Sequence, residues 1–450
     1  MQKLKALAIL IPIFFLATSS HAAEIKQTTY KGWASTALTN SLIEVHVVPA
    51  IGGRVIQLKL GSFEYLWVND HLAGKLPPPT GLGPNGEWLN YGGDKLWPAP
   101  QGWSGDHEWP GPPDAILDGS PHACTILTPT GPQAALELKS LPDPRSGIQF
   151  SRVIRVFDNA AHVSFYSTMK NIDNRPRQWA IWQVTQLNAS AKNKLGYNPE
   201  IRSYSPINPA SIFPRGYTET FGLVNNPSFK SDPKAGLVIA NYKRLVGKIG
   251  MDNSAGWLAT VDGTAGYAFV ERFTYFPGKK YPDNTSATLW MNGVGQIVTG
   301  DKIAESKDDP IETPPLVESE ILSPLAYLKP GETYSYQSDW YVTKIGGNYP
   351  ILSCTDAGVT CEPLRATRAD NKLHLTGRFG VFAPGKLSIL FLDSASAPLT
   401  QQDLNLSASP LEPLTINSDI PFPAKSASVT LILRDSSGKI LGELTKAKIH

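Results

Sequence analysis

Residues 148–157 read IQFSRVIRVF and, after a DNAA turn, residues 162–169 read HVSFYSTM. Apolar and polar side chains alternate through both stretches, which is the period of a strand with one buried face and not the 3.6-residue period of a helix. The same alternation, rich in β-branched and aromatic residues and bounded by Gly, Pro, Asn or Asp, recurs at 41–48 (SLIEVHVV), 54–60 (RVIQLKL), 268–276 (AFVERFTYF) and 334–342 (YSYQSDWYV). No amphipathic stretch persists beyond about three helical turns. The 38 glycines and 38 prolines in 450 residues also favour a turn-rich, all-β chain.

Beyond TKIGGNYPILS (343–353) the composition changes. All eleven tryptophans lie at or before Trp340, whereas the tail is aliphatic and carries three strand-like runs, KLHLTGRF, KLSILFLD and SVTLILRD. The reading is a large aromatic-rich β domain over 24–345, followed by a small immunoglobulin-like β-sandwich over 350–450. Flat apolar faces are what ring-shaped ligands stack on, so the first domain is the expected ligand carrier.

The first 23 residues combine Lys3 and Lys5, an apolar run from Leu7 to Ala17 that is too short to span a bilayer, and a small-residue site at Ala22–Ala23. This is the pattern of a cleaved secretory signal, so a periplasmic or secreted chain that is not membrane-embedded is expected. Loss of Lys3 and Lys5 from the 41 basic residues balances the 39 acidic ones, and a neutral chain is a poor partner for nucleic acid or a bulk polyanion. In an oxidising compartment Cys354 and Cys361, seven residues apart, are expected to form a disulfide loop. Cys124 is left over and reads as a buried apolar thiol. Neither a cofactor nor a metal is expected: Asp106, His107 and Glu108 are contiguous, and contiguous side chains rarely converge on one ion. Oligomeric state is not encoded in any of these patterns.

Between 75 and 114 the chain reads as one long irregular, proline-dense insertion with Trp88, Trp97, Trp103 and Trp109 in it, and loops of that length are usually functional. Its centre is YGGDKLWPAPQGW (91–103). One reading makes these indoles a platform beneath a sugar ring, with Tyr91, Asp94, Lys95, His107 and Glu108 supplying hydrogen bonds. In the other the indoles cover one end of a core and the charges are solvated.

The pattern Gly92-Gly93-x-x-x-Trp97-Pro98 resembles a segment of hexose-6-phosphate mutarotases, in the galactose mutarotase-like superfamily. Together with AIWQVTQL (180–187) and ESEILSPLAYLKPGETYSYQSDWYV (318–342), it also resembles an uncharacterised bacterial family of that superfamily. LKPGETY is similar to the segment that closes aldose 1-epimerase domains. The resemblance covers roughly residues 30–345 and implies a β-supersandwich with a sugar site, mono- or oligosaccharide, in a concave face.

In that superfamily a carboxylate takes the anomeric proton while a histidine protonates the ring oxygen. The resemblance places the carboxylate at Glu318 or Glu320, which alternate onto one face of VESEIL, and the early histidine at His107. A second family histidine falls where this chain has Trp182, and an indole donates a hydrogen bond without delivering a proton at neutral pH. Two functions follow from the resemblance: an aldose 1-epimerase-like isomerase with His107 as acid, or a non-catalytic carbohydrate binder. Arg54 and Glu271 complete the expected ligand contacts; for Arg54 a surface salt bridge is the competing role, and Glu271 and Arg272 point to opposite faces of their strand, so one alone sees the cleft. His46 and His162 read as structural.

Overall fold

The computed structural model describes residues 22–299, 302–309 and 311–450, so most of the expected leader lies outside the described residues. Among those residues helix is confined to two short 3₁₀ turns, Asp70–Leu72 and Pro282–Asn284. No helix is long and apolar enough to cross a membrane. The chain is all-β, as its alternation predicts.

One sheet has thirteen strands and a second has ten. Seven strands of the larger sheet position the site: β1 (Arg54–Leu60), β2 (Asp94–Ala99), β3 (Arg177–Asn188), β4 (Thr218–Gly222), β5 (Gly247–Met251), β6 (Ala287–Met291) and β7 (Leu316–Leu322). In space they run β4-β5-β6-β7-β3-β2-β1, antiparallel at each pairing. The ten-stranded sheet holds Ile148–Phe157, paired along its length with His162–Asn171.

The stretch quoted first shows why the two sheets meet. Ile148, Phe150, Ile154 and Val156 are buried on one face of their strand; Ile154 and Val156 cluster with Leu38, Val45, Val55 and Leu58 of the larger sheet, and Ile148 and Phe150 with Trp97, Ala99 and Ile181. Arg152 occupies the remaining inward position of the same strand and is buried as well. A charge among core-facing residues needs a partner, and Asp94 of β2 supplies it.

The expectation of an unbroken loop over 75–114 is corrected by β2, which lies inside the larger sheet. Pro98 concealed it, since proline usually argues against an interior strand. Here β2 pairs with β3 from Asp94 to Ala99 but with β1 only at Asp94, so Pro98 lies where one edge has no partner strand. Gly92 and Gly93 lead into the strand with φ of 94° and 72°, and a Cβ would lie 2.2 Å from Trp67 O at the first and 2.4 Å from Val55 O at the second. Only glycine fits both the left-handed backbone and the close approach.

Residues 353–448 form two four-stranded sheets with an apolar core of their own, mostly aliphatic with Phe379 and Phe391 in it. An apolar cluster of Trp257, Val261 and Val270 with Val359, Cys361 and Phe382 joins them to the ten-stranded sheet. The disulfide expectation is corrected: Cys354 and Cys361 are free thiols. Their hairpin sets Cys354 opposite Val359, two positions short of Cys361, which is buried in that apolar cluster. Burial pushes both thiols up to about 12. Cys124 is corrected too, for it is exposed on the edge strand Ala123–Thr128.

Candidate functional site

Because side chains alternate across a strand, β2, β3 and β7 each present one set of residues to the ten-stranded sheet and another to the outside. Asp94, Gln183, Thr185 and Ser319 take the inner parity; Lys95, Trp97, Trp182, Gln186, Glu318 and Glu320 take the outer one. A cleft of about 710 Å³ lies on the outer face and is lined by Trp88, Trp97, Trp103, Trp182, Gln186 and Glu318 among others.

Glu318 and Glu320 share that face, as their spacing predicts. Glu318 accepts from Gln186 Nε2 at 2.7 Å and stands 3.7 Å from the Lys95 ammonium. Burial pushes the Glu318 carboxyl up and the Lys95 ammonium down, the latter to about 8, with each charge partly offsetting the shift of the other. Glu320 lies deeper and is fully buried. Its Oε2 accepts from Trp182 Nε1 at 2.7 Å, Lys248 Nζ at 2.8 Å and Thr288 Oγ1 at 2.5 Å. Gln186 Oε1, on a residue that lines the cleft, is buried with no hydrogen-bond partner, as are Lys95 Nζ and Glu320 Oε1 behind the lining.

The indoles around Glu318 are held by carboxylates. Asp118 accepts from both Trp88 and Trp97, and its own charge is balanced by Arg54, whose Nη2 lies at 2.6 Å. Trp97 packs edge-on against Trp182 with ring centroids 5.4 Å apart. Lys95 and Lys248 lie over Trp97 and Trp182, with 4.6 and 4.4 Å to the ring centroids. Trp103, 63% exposed, forms part of the rim.

Several expected ligand contacts are corrected by these positions. Arg54 is neither at the cleft nor in a surface salt bridge: it is fully buried, bonded to Gly92 O and Asp118, and acts on the site through Asp118. Asp94 faces the core, where it accepts from Arg152, Gln183 and Thr185. Glu271 lies between the sheets and accepts from Thr185, Ser319 and Trp340, and burial raises its carboxyl to about 8. Arg272 does take the opposite face and pairs with Asp356, so neither member of that pair reaches the cleft. Tyr91 is buried against Trp33, and Trp109 lies behind Trp97 and donates to Asp114.

His107 is corrected as well. Its side chain is 68% exposed beside Glu108, on a loop that Arg175 ties down through Asp106, and it is not among the residues lining the cleft. The histidine that lines it is His71, on the 3₁₀ turn that Asn69 caps. Sequence reasoning missed His71, and also Phe221, Lys248, Trp290 and Asp118. Asp118 follows the tryptophan-rich segment closely enough to have been considered; the others carry no local signal.

A family model described as a domain of unknown function, DUF4380, matches residues 34–343. Among solved structures the chain is similar to a galactose mutarotase-like protein from Clostridium acetobutylicum, with 10% identity, TM-score 0.44 and coverage of 72% of this chain and 99% of that one. A galactose mutarotase-like protein from Lactobacillus casei gives 10% identity and TM-score 0.43 over 68% of this chain and 99% of the other. A TPR-domain containing protein from Parabacteroides distasonis gives 16% identity and TM-score 0.46 over 71% of this chain, which spans about half (48%) of that protein.

Proposed function

We propose that this chain, which belongs to the DUF4380 family, is a carbohydrate-binding protein that holds a sugar in the cleft of its larger sheet. The observation that carries the reading is the floor around Glu318. Polar atoms without hydrogen-bond partners, Gln186 Oε1 in the lining and Lys95 Nζ and Glu320 Oε1 behind it, accompany indole rings whose N–H groups are already bound by carboxylates. A sugar ring has an apolar face for the indoles and hydroxyls that both donate and accept, so it satisfies both halves of the site. Titration with mono- and oligosaccharides is expected to change tryptophan fluorescence, and Trp103→Ala is expected to weaken that binding without unfolding the chain. Saccharides that leave the fluorescence and the melting temperature of the wild type untouched contradict the reading.

A second reading, interconversion of anomers, is favoured by Glu318, a carboxyl of raised pKa at the cleft, and by His71 lining the same cleft. An anomerically pure sugar then equilibrates faster with the protein than without it, and Glu318→Gln removes the gain. Equal rates with and without protein leave the chain a binder alone. The leader-like first 23 residues support an exported site of action, which cell fractionation tests by placing the chain inside or outside the inner membrane.

A further inference from the structure

The strand register aligns the cleft in a way that no single segment of sequence displays. Phe221 pairs with Lys248, Lys248 with Trp290, Trp290 with Glu318, and Glu318 with Gln186. Five adjacent strands therefore place one residue each in a single transverse row, and all five residues line the cleft. At about 4.8 Å between strands, the row is roughly 19 Å long. That is longer than one sugar ring needs.

The cleft has one aromatic wall at the β4 end of the row and a second wall off the row's axis. Phe221 and Trp290 lie edge to face with centroids 6.1 Å apart on β4 and β6. Four residues along β3 from Gln186, two repeats of the pleat and about 13 Å off the row, lies Trp182, paired with Trp97 of β2. Glu318 stands between the two walls. The charges are self-balanced: Lys95 is paired with Glu318 and Lys248 with Glu320, while Glu87 and Glu312 add acid to the lining and no arginine contributes to it. Among the described residues a phosphate or a sugar carboxylate finds no free cation in this lining and meets like charge at Glu87 and Glu312.

We propose that the cleft takes an uncharged saccharide chain of at least two rings running from β4 towards β2, with one ring on Phe221 and Trp290 and another beside the Trp103 rim and the exposed edges of Trp97 and Trp182. This rests on the carbohydrate reading above. The full-length protein is to be titrated calorimetrically with glucose, xylose and galactose, with cellotetraose, maltotetraose, xylotetraose and galactotetraose, and with glucose phosphate and tetragalacturonate. A neutral tetrasaccharide is expected to bind at least about 10-fold more tightly than its own monosaccharide, and the two charged probes at least about 10-fold more weakly than that tetrasaccharide. Trp290→Ala, and separately Phe221→Ala, each folded by circular dichroism, are expected to lower tetrasaccharide affinity about 10-fold, a larger factor than either takes from monosaccharide affinity. A monosaccharide that binds as tightly as its tetramer, or a charged probe that binds best, overturns this proposal and leaves the carbohydrate reading standing. Absence of binding across the whole panel overturns that reading as well.

Discussion

The two faces of β2, β3 and β7 are built from neighbouring residues and have opposite chemistry. On the inner face both carboxyl groups have three partners: Asp94 accepts from Arg152, Gln183 and Thr185, and Glu271 is bonded to Thr185, Ser319 and Trp340. On the outer face Glu320 Oε1, Gln186 Oε1 and Lys95 Nζ have no such partner. Buried polar groups are costly unless hydrogen-bonded. The inner network cross-links the two sheets, with Arg152 Nε and Nη2 its own unpartnered atoms, whereas the outer one borders the cleft.

The largest test removes the inner cross-link. Asp94→Ala leaves Arg152 buried without its counter-charge, and loss of about 3–5 kcal/mol is expected in denaturant unfolding. A variant as stable as the wild type breaks the distinction between the faces.

Glu271 sharpens the same comparison through pH. Its carboxyl is raised from 4.5 to about 8, chiefly by burial, so the folded chain keeps a proton that the unfolded chain releases. This contribution to stability is full below about pH 4.5 and is lost as pH rises towards about 8. Glu271→Gln is expected to flatten that decline, and parallel melting curves for variant and wild type from pH 5 to pH 8 count against it.

The outer face should respond in binding. Glu318→Gln is expected to weaken sugar binding by about 1.5–3 kcal/mol, the range for hydrogen bonds to a charged group, and to cost some stability as well, because Lys95 loses its counter-charge. Trp103→Ala at the rim is expected to cost about 1–2 kcal/mol of binding. The smallest effect belongs to His107→Ala, where both binding and stability should stay within about 0.5 kcal/mol of wild type. A large loss of binding in that variant would return His107 to the site.

The strands were legible because alternation is local: 54–60 and 148–157 form strands over the lengths that their patterns suggest. Arg152 was a readable clue that went unused, a charge at an inward position of an otherwise apolar face. Adjacent Asp94 and Lys95 could not both face one ligand, and parity alone decides that one enters the core. The transverse row was not readable. Phe221, Lys248, Trp290, Glu318 and Gln186 come from distant segments, and their alignment depends on the register of four pairings that loop lengths do not specify. His107 misled because its place after a Trp-Pro segment says nothing of where the loop is tied, and Arg175 fixes it outside the cleft. The cysteine spacing misled in the same way, since hairpin register and not separation in sequence decides which residues meet.

The most direct test of the claim that the outer face is a sugar site is a crystal structure of the full chain with the tightest-binding saccharide of the panel. The account predicts a ring against Trp97 and Trp182 with a hydroxyl on Glu318 and its neighbours Lys95 and Gln186. A saccharide seated elsewhere on the molecule, with the Glu318 floor untouched, would contradict it.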